Sequence, residues 1–324
     1  MPRLLSIEPS TYTPHALHRN EDASWPETNC YVDLVIEVLH AYGLEPLAML
    51  PFTMLMDFEG EQWTFFKPPH ADILDLYGIE IVEHAIWRPL DEHVEEQVNV
   101  GRPIFVEIDS FYLPDTKGTT YRTEHGKTTI GVTRIDREKF SLDYFHNKGF
   151  YSLEEADYKG AFFIDPKPAF VLPPYVEVAK LEGLVKRPPA ELADHSIALL
   201  RQHYSRRPKR NPFDAYRPRF ERDLAWLLEQ PMSSFHLYAF ATVRQIGANY
   251  EMSAEYIKWL GANGHPEFAA AEASFRRLAE IPKTMQFKMA RVAMTKKPFD
   301  YGTMFTEMAS TFDTAMAQVG AALT

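Results

Sequence analysis

The sequence predicts an α+β domain followed by an all-helical one, and three observations predict it. Compact apolar runs of strand composition occupy 103–108, 128–135 and 140–145. From residue 188 onward the apolar spacing is helical. Between the two regimes lies a Pro-rich stretch, 166–189. The resulting division is an α+β domain at 1–165, a connection at 166–189 and an α-helical domain at 190–324.

Taken in order, residues 1–28 read as an extended, proline-containing arm. A helix is predicted over 31–42, because Val32, Ile36 and Leu39 fall on one face and Gly43 stands where a helix ends. Thr28 and Asn29 are both suitable caps. The aromatic segment FEGEQWTFFKPP follows, then a short helix at 71–77 ended by Gly78, a strand at 79–82, and a helix at 90–100 ended by Gly101. Strand 128–135, a turn at 136–139 and strand 140–145 form a hairpin. An edge strand is expected at 162–164. Helices are then expected at 192–204, 220–229, 235–248, 254–263, 267–279, 285–293 and 305–323.

Composition narrows the class. Hydrophobic residues make up 45% and charged residues 24%, the profile of a globular chain with a sizeable core. No run approaches the roughly 18 apolar residues of a membrane span, and the start lacks a signal-peptide pattern, so a cytoplasmic protein is expected. The formal charge of −11 argues against nucleic acid as a partner. The chain has one cysteine, which excludes an internal disulfide and leaves no cysteine-based metal site. No metal or cofactor is expected.

That cysteine carries the chemistry. A thiol attacks a carbonyl as thiolate, so it needs a base and a favourable field. Cys30, in ETNCYVD, stands at the first turn of the predicted helix, where unpaired N–H groups and the helix dipole favour negative charge. His125, in YRTEHGKTTIGV, stands just before a strand and is the candidate base. Across the hairpin, Asp143 in FSLDYFHN is a candidate to orient the imidazole. Taken singly, Cys30 reads as a small buried hydrophobe and Asp143 as a turn former.

The order Cys, His, then Asp or Asn after a hairpin resembles the papain-like fold. Residues 24–165, with GRPIFVEIDSFYLPD and YRTEH, are similar to bacteriocin-processing cysteine peptidases and to the amino-terminal domain of butirosin-type acyltransferases. Over nearly its whole length the chain resembles a bacterial family of unknown function, through PETNCYVD, DFEGEQWTFFKPP, YLPDTKGTTYRTEH and YFHN. The papain pattern has a Gln shortly before the Cys. Here the first Gln is Gln62, so Asn29, Ser24 or Gln62 would complete the oxyanion hole. Asn147 and His146 compete with Asp143 for the third catalytic place. The resemblance also puts Tyr112 and Asp115 in a loop near the site.

Other signals have plainer readings. His15 and His18 have metal-ligand spacing but lack a second pair, and read as part of a solvated arm. Asp57, Glu59 and Glu61 read as a polar strand face rather than a cation site. Trp63, Phe65 and Phe66 fit either a pocket near Cys30 or the core. Between Arg201 and Arg222 stand eight basic and two acidic residues. Arg206, Arg207, Lys209 and Arg210 are candidates for docking an acidic carrier protein, and a solvated linker is the alternative. The expected activity is acyl or aminoacyl transfer from a thioester to an amine through acyl-Cys30. A peptidase or amidase with the same site, or a non-catalytic binding protein, are the alternatives.

Overall fold

The computed structural model describes residues 3–20, 23–25, 27, 29–165 and 173–324. Thr28, one of the two expected caps, and residues 166–172 of the expected connection lie outside the described residues. The structure combines a β-sheet region with a helical carboxy-terminal part, and it divides into two compact units. The first comprises Met1–Asn20, Asn29–Pro46 and Pro69–Lys186, and the second Glu21–Thr28, Leu47–Pro68 and Arg187–Thr324.

In the first unit, α1 (Cys30–Ala41), α2 (His70–Tyr77), α3 (Leu90–Asn99) and α4 (Glu155–Ala161) accompany a sheet. Its strands are β1 (Glu80–Glu83), β2 (Ile104–Asp109), β3 (Lys127–Asp136), β4 (Ser141–His146), β5 (Gly149–Glu154) and β6 (Val176–Lys180). Among the described residues they form one antiparallel six-stranded sheet in the order β1-β6-β2-β3-β4-β5. Strand alternation divides the faces. Ile104, Val106, Ile130, Val132, Leu142 and Tyr144 form a core with Val94 and Val98 of α3 and Tyr158 of α4. Phe105 turns the other way and meets Tyr31 of α1 edge-on, with ring centroids 6.2 Å apart. Gly131 lets α1 seat closely on this face: a Cβ there would lie 2.8 Å from Leu34 Cδ1. Helix α2 ends on Gly78, whose φ of 67° suits glycine.

Two expectations fail here. Residues 162–164 are not an edge strand, since Phe162 caps α4 and its N–H bonds Tyr158 O. Nor is the rest of 166–189 a plain connection. β6 lies between β1 and β2, because VEVAK is short, apolar-rich and almost wholly buried.

The second unit holds α5 (Pro189–Arg206), α6 (Pro212–Leu227), α7 (Met232–Ala239), a π-helical turn at Phe240–Arg244, α8 (Gln245–Ala262), α9 (Ala270–Thr295) and α10 (Gly302–Ala322). The helices expected at 235–248 and 254–263 merge around the π turn. Those expected at 267–279 and 285–293 are the single helix α9, which runs through Pro282. Proline normally breaks a helix, but Leu278, Ile281, Met285 and Met289 continue one buried face across it. Residues 47–68 belong to this unit. Their two-stranded ribbon, Phe58–Glu59 with Gln62–Trp63, packs its aromatic rings on Phe213 and Tyr216. No helix among the described residues is long and apolar enough to cross a membrane.

Candidate active site

Cys30 is the first residue of α1 and is half-buried. The helix starts there because Asn29 is its N-cap: the Asn29 side chain accepts a hydrogen bond from Val32 N–H at 3.2 Å. Asn29 is 1% exposed. Its side-chain oxygen thus holds the helix start.

His125 precedes β3, as the sequence suggests, but its partner is Asp109. Nδ1–H of His125 donates to Asp109 Oδ2 at 2.6 Å. Asp109 Oδ1 accepts from the backbone N–H of Phe111 at 3.0 Å and of Gly126 at 3.2 Å, so the carboxylate is held at both oxygens. Phe111 stacks on the imidazole with centroids 4.4 Å apart and planes 14° apart. The histidine side chain is 69% exposed, leaving Nε2 toward solvent. Asp109 and Phe105 share a strand face, the one that carries α1. Cys30 and the His125–Asp109 pair thus belong to the same side of the sheet. No hydrogen bond joins Cys30 to His125 among the described residues.

Asp143 does not orient the histidine. It is 1% exposed and accepts from Arg134 Nε at 2.6 Å, from Arg134 Nη2 at 2.9 Å, from Arg3 at 3.0 Å and from Ser152 at 2.9 Å. Burial alone would raise its pKa, but these donors outweigh burial and lower it. The antiparallel register explains the discrepancy: Asp143 stands opposite Arg134, whereas Asp109 stands opposite Lys127, two residues from the histidine.

Asn147 occupies the turn between β4 and β5 with φ 46°. His146 shares the face of Leu142 and Tyr144, opposite α1, and is 2% exposed. Its Nδ1–H donates to Asp115 Oδ2 at 2.5 Å and its Nε2 meets Thr128 Oγ1 at 2.8 Å, while Tyr144 also donates to Asp115. His146 and Asp115 thus form a buried network. Tyr112 is partly buried against the core and fills the space over Gly160.

Next to Cys30 in the chain, Tyr31 belongs to a second polar cluster that local pattern does not foretell. Tyr31 donates to Glu177 Oε2 at 2.5 Å, and Tyr175 donates to Glu177 Oε1 at 2.8 Å. The Tyr31 proton is thereby committed, so His70 Nε2–H donates to Tyr31 Oη at 2.9 Å. Burial, then the charge of Glu177, raises the Tyr31 pKa. β6 was missed in the sequence, and Glu177 with it.

The arm expected to be solvated is docked. Glu37 of α1 is fully buried and accepts from Tyr12, His18 and the His15 backbone N–H. His18 Nε2 also donates to Asp33 at 3.2 Å. Burial would lower the His18 pKa, but hydrogen bonds to Asp33 and Glu37 raise it to about 9. For His15, burial and then neighbouring His40 lower the pKa to about 4. No group of three or more His, Cys, Asp or Glu among the described residues is placed to hold a metal ion.

Gln62 and Trp63 belong to the helical unit and line a pocket within it. Arg206, Arg207, Lys209 and Arg210 gather where α5 ends and α6 begins. Arg207 covers the Tyr204 ring at 3.8 Å and donates to its carbonyl, and the other three are exposed.

No curated protein matches the chain. The family model described as the DUF1839 N-terminal domain matches residues 13–181, and that described as the DUF1839 C-terminal domain matches residues 189–321. Together they span both the sheet region and the helical region, and the chain belongs to the DUF1839 family.

Proposed function

We propose that the first unit is a papain-like catalytic domain in which Cys30 takes an acyl or aminoacyl group from a thioester and passes it to an amine. The observation that carries this reading is the His125–Asp109 pair on the sheet face that bears the Cys30 helix start. A carboxylate on Nδ1 fixes the tautomer that leaves Nε2 as the base. In the reaction, His125 Nε2 takes the Cys30 proton and the thiolate adds to the thioester carbonyl. The Cys30 backbone N–H, at the first position of α1, stabilises the oxyanion. The donor sulfur leaves with the proton from His125, giving acyl-Cys30. An amine then attacks, His125 accepts its proton, and the Cys30 thiol is restored as the amide departs. The exposed cluster at the α5–α6 turn is suited to an acidic carrier bearing the thioester.

Because the chain has one cysteine, alkylation reads this thiol alone. Iodoacetamide is expected to alkylate the wild type at neutral pH at least about tenfold faster than His125→Ala, with Asp109→Asn in between. A thioester donor then leaves an acyl mass on the wild type and none on Cys30→Ser. Turnover by water alone would make the protein a peptidase or amidase instead. Equal alkylation rates in wild type and His125→Ala remove the nucleophile. The second reading, a non-catalytic binding protein, would then hold. The observation in its favour is that Cys30 and His125 share no hydrogen bond.

A further inference from the structure

The helical unit contains a cavity of about 840 Å³ between the 58–63 ribbon, α6, α7 and the π turn. That size lies within the range of small-molecule sites. Its walls are aromatic: Trp63, Phe65, Tyr216, Trp226, Tyr238 and Phe240 line it. Phe65, Trp226 and Phe240 are 55%, 53% and 46% exposed, so three large wall rings stand in water, where apolar surface is unfavourable. The π turn is a rare element that recurs at functional sites, and it forms part of the wall.

The polar groups of the lining favour neither sign of charge. Two acids, Glu61 and Asp223, stand with two arginines, Arg219 and Arg222, so the lining carries no net charge. Arg219 bridges the acids, its Nε donating to Asp223 at 2.6 Å and its Nη1 to Glu61 at 2.5 Å. Arg222 is exposed and keeps its hydration. The Tyr216 and Tyr238 hydroxyls lie 2.9 Å apart and pair with each other. Thr242 donates to the Tyr238 carbonyl at 2.6 Å, and Gln245 Nε2 donates to Phe240 O at 3.3 Å. An ion entering this site gives up hydration for a lining with no excess of opposite charge, which is costly. An uncharged ring gives up little and gains stacked or edge-on contact with the walls.

We propose that this cavity binds an uncharged planar aromatic molecule, seated among the aromatic walls. The site uses neither Cys30 nor His125, so it stands or falls apart from the acyl-transfer reading.

The test is isothermal titration of the full chain at neutral pH with 2-naphthol. Beside it run the anion 2-naphthoate, the cation 2-naphthylmethylammonium and the saturated decahydro-2-naphthol. Naphthol is expected to bind saturably, with a dissociation constant below about 1 mM. Each ion binds at least about tenfold more weakly, and the saturated alcohol at least about threefold more weakly. Trp226→Ala removes an exposed wall ring and weakens naphthol at least about threefold, with the thermal melt checking its fold. Phe240→Leu, which keeps an apolar side chain, gives a similar loss, so one misfolded variant does not decide the outcome. Arg222→Gln leaves the affinity within about twofold. Absence of saturable naphthol binding overturns the proposal. So does either ion or the saturated alcohol binding as tightly as naphthol. Affinity that both ring variants leave unchanged, or that Arg222→Gln lowers about tenfold, overturns it as well.

Discussion

At the scale of single residues, two carboxylates that look alike in sequence do different work. Asp143 is buried between arginines, and Asp109 is held by two backbone N–H groups beside an exposed imidazole. Asp143→Ala leaves Arg134 and Arg3 without their carboxylate and is expected to cost about 3 kcal/mol, read as a lower denaturant midpoint. The alkylation profile of Cys30 stays where it was. A change in that profile would restore Asp143 to the site. The histidines of the docked arm set a pH optimum of stability. His18 binds its proton more tightly in the folded chain, with a pKa of about 9 against an ordinary 6.5, so its contribution is complete below 6.5 and is lost as pH rises to 9. His15 is held neutral down to about 4, so its neutrality costs stability as pH falls from 6.5 toward 4. Melting temperature is expected to peak near pH 6.5, and His18→Gln flattens the alkaline limb. An unchanged limb would show that the His18 bonds do not contribute.

At the scale of elements, the seat of α1 on β3 depends on Gly131. Gly131→Ala drives a methyl toward Leu34 and Phe105 and is expected to cost about 1–3 kcal/mol. It should also alter the alkylation rate of Cys30, one helical turn before Leu34. The helices and strands with clear periodicity were legible: α1, α2, α3, β2, β3 and β4 match the predicted segments within a few residues. The four-residue β1 was legible too, but β5, α4 and β6 were not. β5 follows a tight turn at Asn147, and α4 begins at Glu155 with φ 45°, so neither has room for a periodic signal. β6 hides behind prolines. Of the site, the placements of Cys30 at a helix start and of His125 before a strand could be read from local pattern. Asp109 could not, because its pairing depends on the register between β2 and β3, which only the folded sheet supplies.

At the scale of the whole molecule, the two units are not two consecutive lengths of chain. The helical unit borrows residues 47–68 from the amino-terminal half. Asn249 donates to Thr53 O at 3.0 Å, Ser196 donates to Ala48 O at 2.7 Å, and Trp63 packs against Tyr216. It also takes Trp25, whose indole donates to Ala279 O at 2.9 Å. A fragment of residues 187–324 is therefore expected to melt broadly, without a cooperative transition. Adding a peptide of residues 47–68 sharpens the melt, followed by circular dichroism. A sharp transition in the fragment alone would show that the helices need neither segment.

That borrowing has a consequence in time. On the ribosome, residues 47–68 emerge about 120 residues ahead of α5, the first helix of their own unit. At the usual pace of translation this is a wait of roughly 6–24 s. During it Phe52, Phe58, Trp63 and Phe66, all buried in the finished protein, have no helices to cover them. The nascent chain thus passes through an interval in which its stickiest aromatic segment is exposed. A holding chaperone acting in that interval would raise the yield of soluble protein.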